Sequence, residues 1–124
     1  MSVEKDTYTA LSEDNDVSQL VGSKIYPDES KQNDVFPYVV YQLISSVPVE
    51  SPEEDEETNM SVMDIGCYGS TYEQSKELAE AVRSAMILYF GSCVIEDSRD
   101  ERDPVTRKKF VLQTYRIWHD EDFP

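Results

Sequence analysis

A chain of 124 residues, 39% hydrophobic with 8 Tyr, 4 Phe and 1 Trp, suits one folded domain with apolar matter for one sheet and its helices, and argues against a disordered chain. Its 11 basic and 26 acidic residues leave a net charge of −15, a field that opposes adsorption to nucleic acid or an anionic membrane. No apolar run has signal-peptide or membrane length, and Cys67 and Cys93 are the only cysteines, so reduced thiols in a cytoplasm are expected rather than a disulfide.

In chain order, residues 3–21 predict an interrupted helix. Leu11, Val17, Leu20 and Val21 are its apolar positions, "SEDND" (Ser12 to Asp16) breaks and re-caps it, and Gly22 ends it. "SKIYPD" predicts a short strand stopping at Pro27, and "ESKQNDVF" a loop. "PYVVYQLISSVPV" (Pro37 to Val49) predicts a long strand with Val39, Tyr41 and Leu43 on one face and Tyr38, Val40 and Ile44 on the other. Both faces are apolar, so such a strand needs cover on both sides, from helices or from another subunit.

Residues 50–59 then form an acidic insert between two strands, with Glu50, Glu53, Glu54, Asp55, Glu56 and Glu57 and no basic residue. "MSVMDIGCYG" (Met60 to Gly69) predicts the next strand, with Met63, Ile65 and Cys67 toward the core and Val62, Asp64 and Tyr68 away from it. A helix follows over 71–90, with capping-box spacing from Ser70 to Glu73. Its stripe is Leu78, Val82, Ala85, Met86 and Tyr89, thickened by Ala81; Lys76 and Glu80 can pair outside, and Gly91 stops it. Residues 92–119 predict a long hairpin turning at "RDPVT". In its second arm Val111, Tyr115 and Ile117 share one face and Phe110, Leu112 and Trp118 the other. The order α–β–β–β–α–β–β gives a single α+β domain: a mostly antiparallel sheet with a long C-terminal hairpin, packed against the 71–90 helix and an N-terminal helix.

Catalytic signatures are missing. His119 is the only histidine, Cys67 lies on the expected core face, and no glycine-rich phosphate loop or nucleophile elbow is present. Zinc has too few ligands, and the acidic run lacks the alternation and the sixth-position glycine of an EF-hand loop. Contiguous carboxylates keep a hairpin tip solvated and discourage edge-to-edge pairing. Arg99, Arg102, Arg107, Lys108 and Lys109, among neighbouring acids, fit ion pairs within or between subunits better than phosphate binding.

Four stretches in order, "LVGSKIYPD" from Leu20, "FPYVVYQLIS" from Phe36, "MDIGCYGSTYEQSKELAEAVRSAM" from Met63 and "YRIWH" from Tyr115, resemble the small tail completion, or tail terminator, proteins of long-tailed bacteriophages and prophages. The resemblance spans residues 20–119; the carboxylate-rich insert and the "SEDND" segment depart from the family pattern. It implies a structural virion protein, not an enzyme, with no cofactor and no transferable catalytic residue. It implies a ring, usually a hexamer, that caps the tail tube, stops its polymerisation and helps join tail to head. The implied partners are other copies of itself, the tail tube protein and a head-completion or connector protein, while genome DNA passes through without specific binding and no membrane is involved. Assembly would take place in the bacterial host cytoplasm. On this reading Tyr38, Val40, Ile44, Phe110, Leu112 and Trp118 are candidate subunit-interface residues, the five cations are candidate interface ion pairs, and the acidic insert faces the channel or a partner. From the charge alone a different class remains open, an acidic DNA mimic that blocks a nucleic-acid-binding protein, although mimicry needs carboxylates spread over a surface rather than bunched.

Overall fold

The N-terminal residues become helical because each start has a capping side chain. In the computed structural model, which describes residues 2–27, 35–49, 58–104 and 107–120, the Ser2 hydroxyl accepts from the Lys5 N–H at 3.1 Å and starts α1 (Val3–Ser12). Asp14, inside the "SEDND" breaker, accepts from the Val17 N–H at 3.0 Å and starts α2 (Asn15–Val21). Gly22 ends α2 with φ +63°, a conformation that costs glycine least. The expected interruption and re-capping are both present.

Five strands follow from the alternating stretches: β1 (Ile25–Pro27), β2 (Tyr38–Val49), β3 (Thr58–Tyr68), β4 (Cys93–Arg102) and β5 (Lys109–Asp120), with α3 (Tyr72–Phe90) between β3 and β4. They form one sheet in the order β1-β2-β3-β5-β4. β1 runs parallel to β2 and the other pairs are antiparallel, so the mostly antiparallel α+β reading holds. β1 covers β2 only opposite Val39, Val40 and Tyr41. Bulges interrupt the register between Leu43 and Ser45 and between Ile95 and Asp97. β3 begins two residues before the expected Met60, because Thr58 and Asn59 still pair with Val49 and Pro48.

The helices pack on one face of the sheet. Leu11, Val17, Val21, Leu78, Val82 and Met86 from the helices close over Val39, Met63, Ile65, Val111, Tyr115 and Ile117 from the strands, all essentially without solvent contact. Each such aliphatic side chain contributes about 1.5–3 kcal/mol relative to exposure. Met63, Ile65 and Cys67 thus occupy the face that alternation assigned to the core, and Val39, Tyr41, Val111, Tyr115 and Ile117, from strands apolar on both faces, join them there. Gln113 also sits there; its amide donates to the Ala79 carbonyl at 3.0 Å and its oxygen accepts from the Tyr115 hydroxyl at 2.7 Å. A buried amide satisfied at both ends ties β5 to α3 without an unpaired polar group.

Three details of α3 differ from expectation. The cap is Thr71, whose hydroxyl accepts from the Gln74 N–H at 3.1 Å, while Gln74 reaches back to the Ser70 N–H at 2.7 Å. The capping box is therefore displaced one residue from Ser70–Glu73. Lys76, expected to pair with Glu80, reaches Asp100 on β4 at 3.0 Å. Tyr89, expected in the buried stripe, is 43% exposed beside Ile87 and the 83% exposed Leu88, whereas Ser75 and Ala79, outside the expected stripe, are buried.

Candidate assembly surface

Alternate residues of each strand point away from the helices, the parity switching at the bulges of β2 and β4, and among the described residues no helix lies over that second face. Four aromatic rings cross it at one end, one from each of β1, β2, β3 and β5. Tyr26 lies 6.3 Å from Tyr38, Tyr38 stacks on Tyr68 at 4.7 Å, and Tyr68 stacks on Phe110 at 4.2 Å. Phe36 stacks on Tyr38 at 5.3 Å. Cross-strand aromatic pairs of this kind stabilise a sheet beyond the area they bury.

The six candidate interface residues therefore have unequal exposure. Tyr38 is only 5% exposed, because rings of its own chain cover it. Val40, Phe110, Leu112 and Trp118 are half-buried, and Ile44, the extra residue of the β2 bulge beside Val62, is 51% exposed. Further along, Val47 of β2 is exposed and Met60 of β3 pairs with Trp118. Polar groups interrupt the apolar field: Thr114 donates to Asp64 at 2.7 Å, and Arg116 pairs with Glu96 at 2.6 Å. An apolar centre with a paired polar surround is the composition of a protein–protein contact surface.

The cations divide into two groups. Arg99 is held within its own strand, by Glu101 at 2.9 Å and by Asp97. Arg102, Arg107, Lys108 and Lys109 gather at the β4–β5 turn and, with Gly69 to Tyr72 at the start of α3, line a cavity of about 290 Å³. Arg102 donates to the Arg107 carbonyl at 2.6 Å, and Lys108 donates to the Ser70 carbonyl at 3.3 Å while lying 5.2 Å from the Phe36 ring centre. Lys109 lies 5.6 Å from the Tyr72 ring centre. The Tyr72 hydroxyl donates to Asp100 at 2.6 Å; that bond and the one from Lys76 hold the Asp100 carboxyl below its ordinary range. No acidic side chain is among the described residues lining the cavity. Its grouping escapes sequence reading because Gly69–Tyr72 and the β4–β5 turn are more than 30 positions apart. The six acidic candidates, Glu50, Glu53, Glu54, Asp55, Glu56 and Glu57, lie outside the described residues.

His119 meets Ser61 through Nε2 at 2.6 Å, and the fully buried Ser61 hydroxyl also donates to Ser46 at 3.0 Å. Both cysteines are free and buried on the helix-covered side. Burial pushes the Cys93 thiol up to about 11 and the Cys67 thiol well above its ordinary range, so neither is a ready thiolate near neutrality. Among the described residues no group of three or more His, Cys, Asp or Glu could hold a metal, and no helix is long and apolar enough to cross a membrane.

The same burial makes stability depend on pH. The folded state holds the thiol protons more tightly than the unfolded chain, so it gains relative to the unfolded state only while those protons stay on. Stability is full below about pH 9 and falls as pH rises toward 11. The urea midpoint should be lower at pH 10.5 than at pH 7.5, and Cys93→Ala should flatten the slope; an unchanged midpoint would contradict the burial assignment.

A family model for "tail completion protein gp17" matches residues 5–120. The fold is similar to a chain of the virion of a native gene transfer agent particle, with TM-score 0.72 and 14% identity over 97% of this chain and 96% of that one. It is similar also to the gp17 protein of bacteriophage SPP1, with TM-score 0.55 and 19% identity over 92% of this chain and 86% of that one. No curated protein matches by sequence.

Proposed function

This chain belongs to the tail completion protein gp17 family, is a virion component and acts in phage tail assembly, and from that premise we propose that its copies close into a ring, a hexamer, at the head-proximal end of the tail tube. The ring stops tube polymerisation, joins the tube to a head-completion or connector protein, and lets genome DNA pass through its centre. No catalytic step is required of it. One observation carries this reading: the helix-free face of the sheet leaves Val40, Leu112, Trp118 and Ile44 partly accessible in a single copy. Apolar groups set among paired polar ones suit burial against a neighbour. For passing DNA the carboxylates that face the channel matter, not the net charge of −15 itself. Phosphates, about one charge per 1.7 Å of duplex axis, are repelled by any carboxylate within roughly 8 Å.

Electron microscopy of tails made with and without the chain tests the proposal. Tails of uncontrolled length, unjoined to heads, are expected without it; normal joined tails would overturn the reading. A finer test is Ile44→Asp. The side chain is 51% exposed, so the isolated chain should keep its stability within about 0.5 kcal/mol, while complementation of tail joining falls roughly tenfold or more from a charge placed in an apolar contact. Full complementation by a folded Ile44→Asp chain would place the contact elsewhere.

A further inference from the structure

The last turn of α3 holds apolar side chains at the surface. From Ser84 to Ile95 no residue is charged, in a chain that is 30% charged. Ile87 and Tyr89 are each 43% exposed, and Leu88 is 83% exposed. Adjoining exposed apolar groups of this kind mark a contact surface. At the same end of the sheet, strand register builds a second patch on the helix-free face. Val47 pairs with Met60 and Met60 with Trp118, so their side chains form one row across β2, β3 and β5. Val94 of β4, opposite Arg116, stands beside the row and is 49% exposed. The two patches share an end because the turn at Gly91 carries α3 directly into β4, where the Trp118 N–H donates to the Ser92 carbonyl at 3.0 Å. α3 lies on one side of the sheet and the row on the other, with the strands between them. No copy can bring its own two patches together.

We infer that the patches meet between copies: the last turn of α3, through Ile87, Leu88 and Tyr89, packs on the row Val47, Met60 and Trp118 of the next subunit. The inference rests on the ring reading and names the other half of the contact that the helix-free face begins. A ring joins two different surfaces of each copy, head to tail, whereas a surface that packs on itself stops at a pair. The chain offers two such surfaces, both apolar and uncharged at their centres. Row packed on row would leave the α3 end bare. Charge at the margins is complementary. The last turn of α3 carries no basic residue, so nothing within it offsets the negative pole of this 19-residue helix. Partial burial and the nearby Asp6 and Glu13 carboxylates raise the Tyr89 hydroxyl above its ordinary range, which sets two acids beside the same patch. The row is flanked instead by Arg116, between Val94 and Val62 in the register. Arg116 reaches Glu96 through one nitrogen at 2.6 Å, and a guanidinium has further N–H donors to turn toward the carbonyls of a helix end.

Two full-length variants test the contact, Leu88→Asp on the α3 end and Val47→Asp on the row. Both side chains are exposed, at 83% and 45%, so urea midpoints close to the natural one are expected. Association is measured by sedimentation, and by capping of purified tail tubes where the natural chain alone stays monomeric. Each variant alone should associate, or cap, about tenfold or more weakly than the natural chain, because a charge enters an apolar contact. In an equal mixture one intact junction survives, the α3 end of a Val47→Asp copy on the row of a Leu88→Asp copy. The mixture should therefore give pairs at most in solution, and no caps. Normal assembly by either variant, or Leu88→Asp chains that still pair among themselves, would overturn the contact. A second arm needs no disruptive change. Leu88→Cys chains mixed with Val47→Cys chains, assembled and treated with a short bismaleimide, should link one kind to the other and neither kind to itself. Links within one kind, or from the Leu88→Cys position to the tube protein, would overturn it. Natural chains that neither associate nor cap tubes would remove the ring reading together with this contact, whereas normal rings from both variants would remove the contact alone.

Discussion

Tyr115→Ala is expected to lower the unfolding free energy by about 3–5 kcal/mol, a large share of the 5–15 kcal/mol typical of a domain. Tyr115 is fully buried between the central strands and α3. Removing its ring opens a cavity in a core that also holds Leu78, Val82 and Met86, and it strands the Gln113 oxygen that the tyrosine hydroxyl serves at 2.7 Å. Tyr115→Phe separates the two losses. It keeps the volume and removes only the donor, so it should cost about 1–3 kcal/mol. Urea unfolding measures both as a shift of midpoint at unchanged slope. If the phenylalanine variant matched the natural chain, the hydroxyl–amide–carbonyl chain from Tyr115 through Gln113 to Ala79 would carry no stability.

Gly69→Ala is the second large effect, and its cause is close approach rather than backbone conformation. A Cβ at Gly69 would lie 2.5 Å from the Ser75 nitrogen and 2.9 Å from the Gln74 carbonyl carbon, both backbone atoms of the first turn of α3. Backbone cannot rotate aside, so the helix start must shift, at a cost of about 1–3 kcal/mol. The shift would also strain the bond from the Gly69 N–H to the Ser75 hydroxyl, 2.8 Å long. Gly22→Ala is the contrast. It meets nothing within 4 Å and suffers only from φ +63°, so a loss of about 1–2 kcal/mol is expected. Thermal unfolding measures both variants; a Gly69→Ala chain as stable as the natural one would rule out the clash.

How far the sequence reveals this molecule depends on the range of the interactions. Alternation along a strand is local, so Met63, Ile65 and Cys67 could be assigned to the core before any pairing was known, whereas β2, apolar on both faces, left open which side the helices cover. The re-capping at Asp14 was legible for the same reason. The cap of α3 was harder, because Ser70 and Thr71 are adjacent capping residues and Glu73 and Gln74 adjacent partners; the backbone geometry after Gly69 selects the second pair. Tyr89 kept its helical spacing but lost its cover among the exposed residues at the end of α3. The bulge at Ile44 and the aromatic series Tyr26, Tyr38, Tyr68 and Phe110 depend on strand register across the sheet. Above all, the place of Arg102, Lys108 and Lys109 beside the start of α3 follows from the pairing of β3 with β5. These strands are not consecutive, and no local pattern encodes that neighbourhood.

The short β1 has a further consequence for β2. Beyond Tyr41, from Gln42 to Val49, the outer rail of β2 has no strand beside it among the described residues. That rail is uncharged, unlike the opposite margin, β4, where Glu96, Asp97, Arg99, Asp100, Glu101 and Arg102 discourage lateral growth. β2 is guarded by geometry instead. The bulge at Ile44 breaks its repeat, and Pro48 offers no N–H to an incoming chain. Straightening the bulge or replacing Pro48 with a β-branched residue would leave an uninterrupted template, open to fibrous stacking of identical molecules.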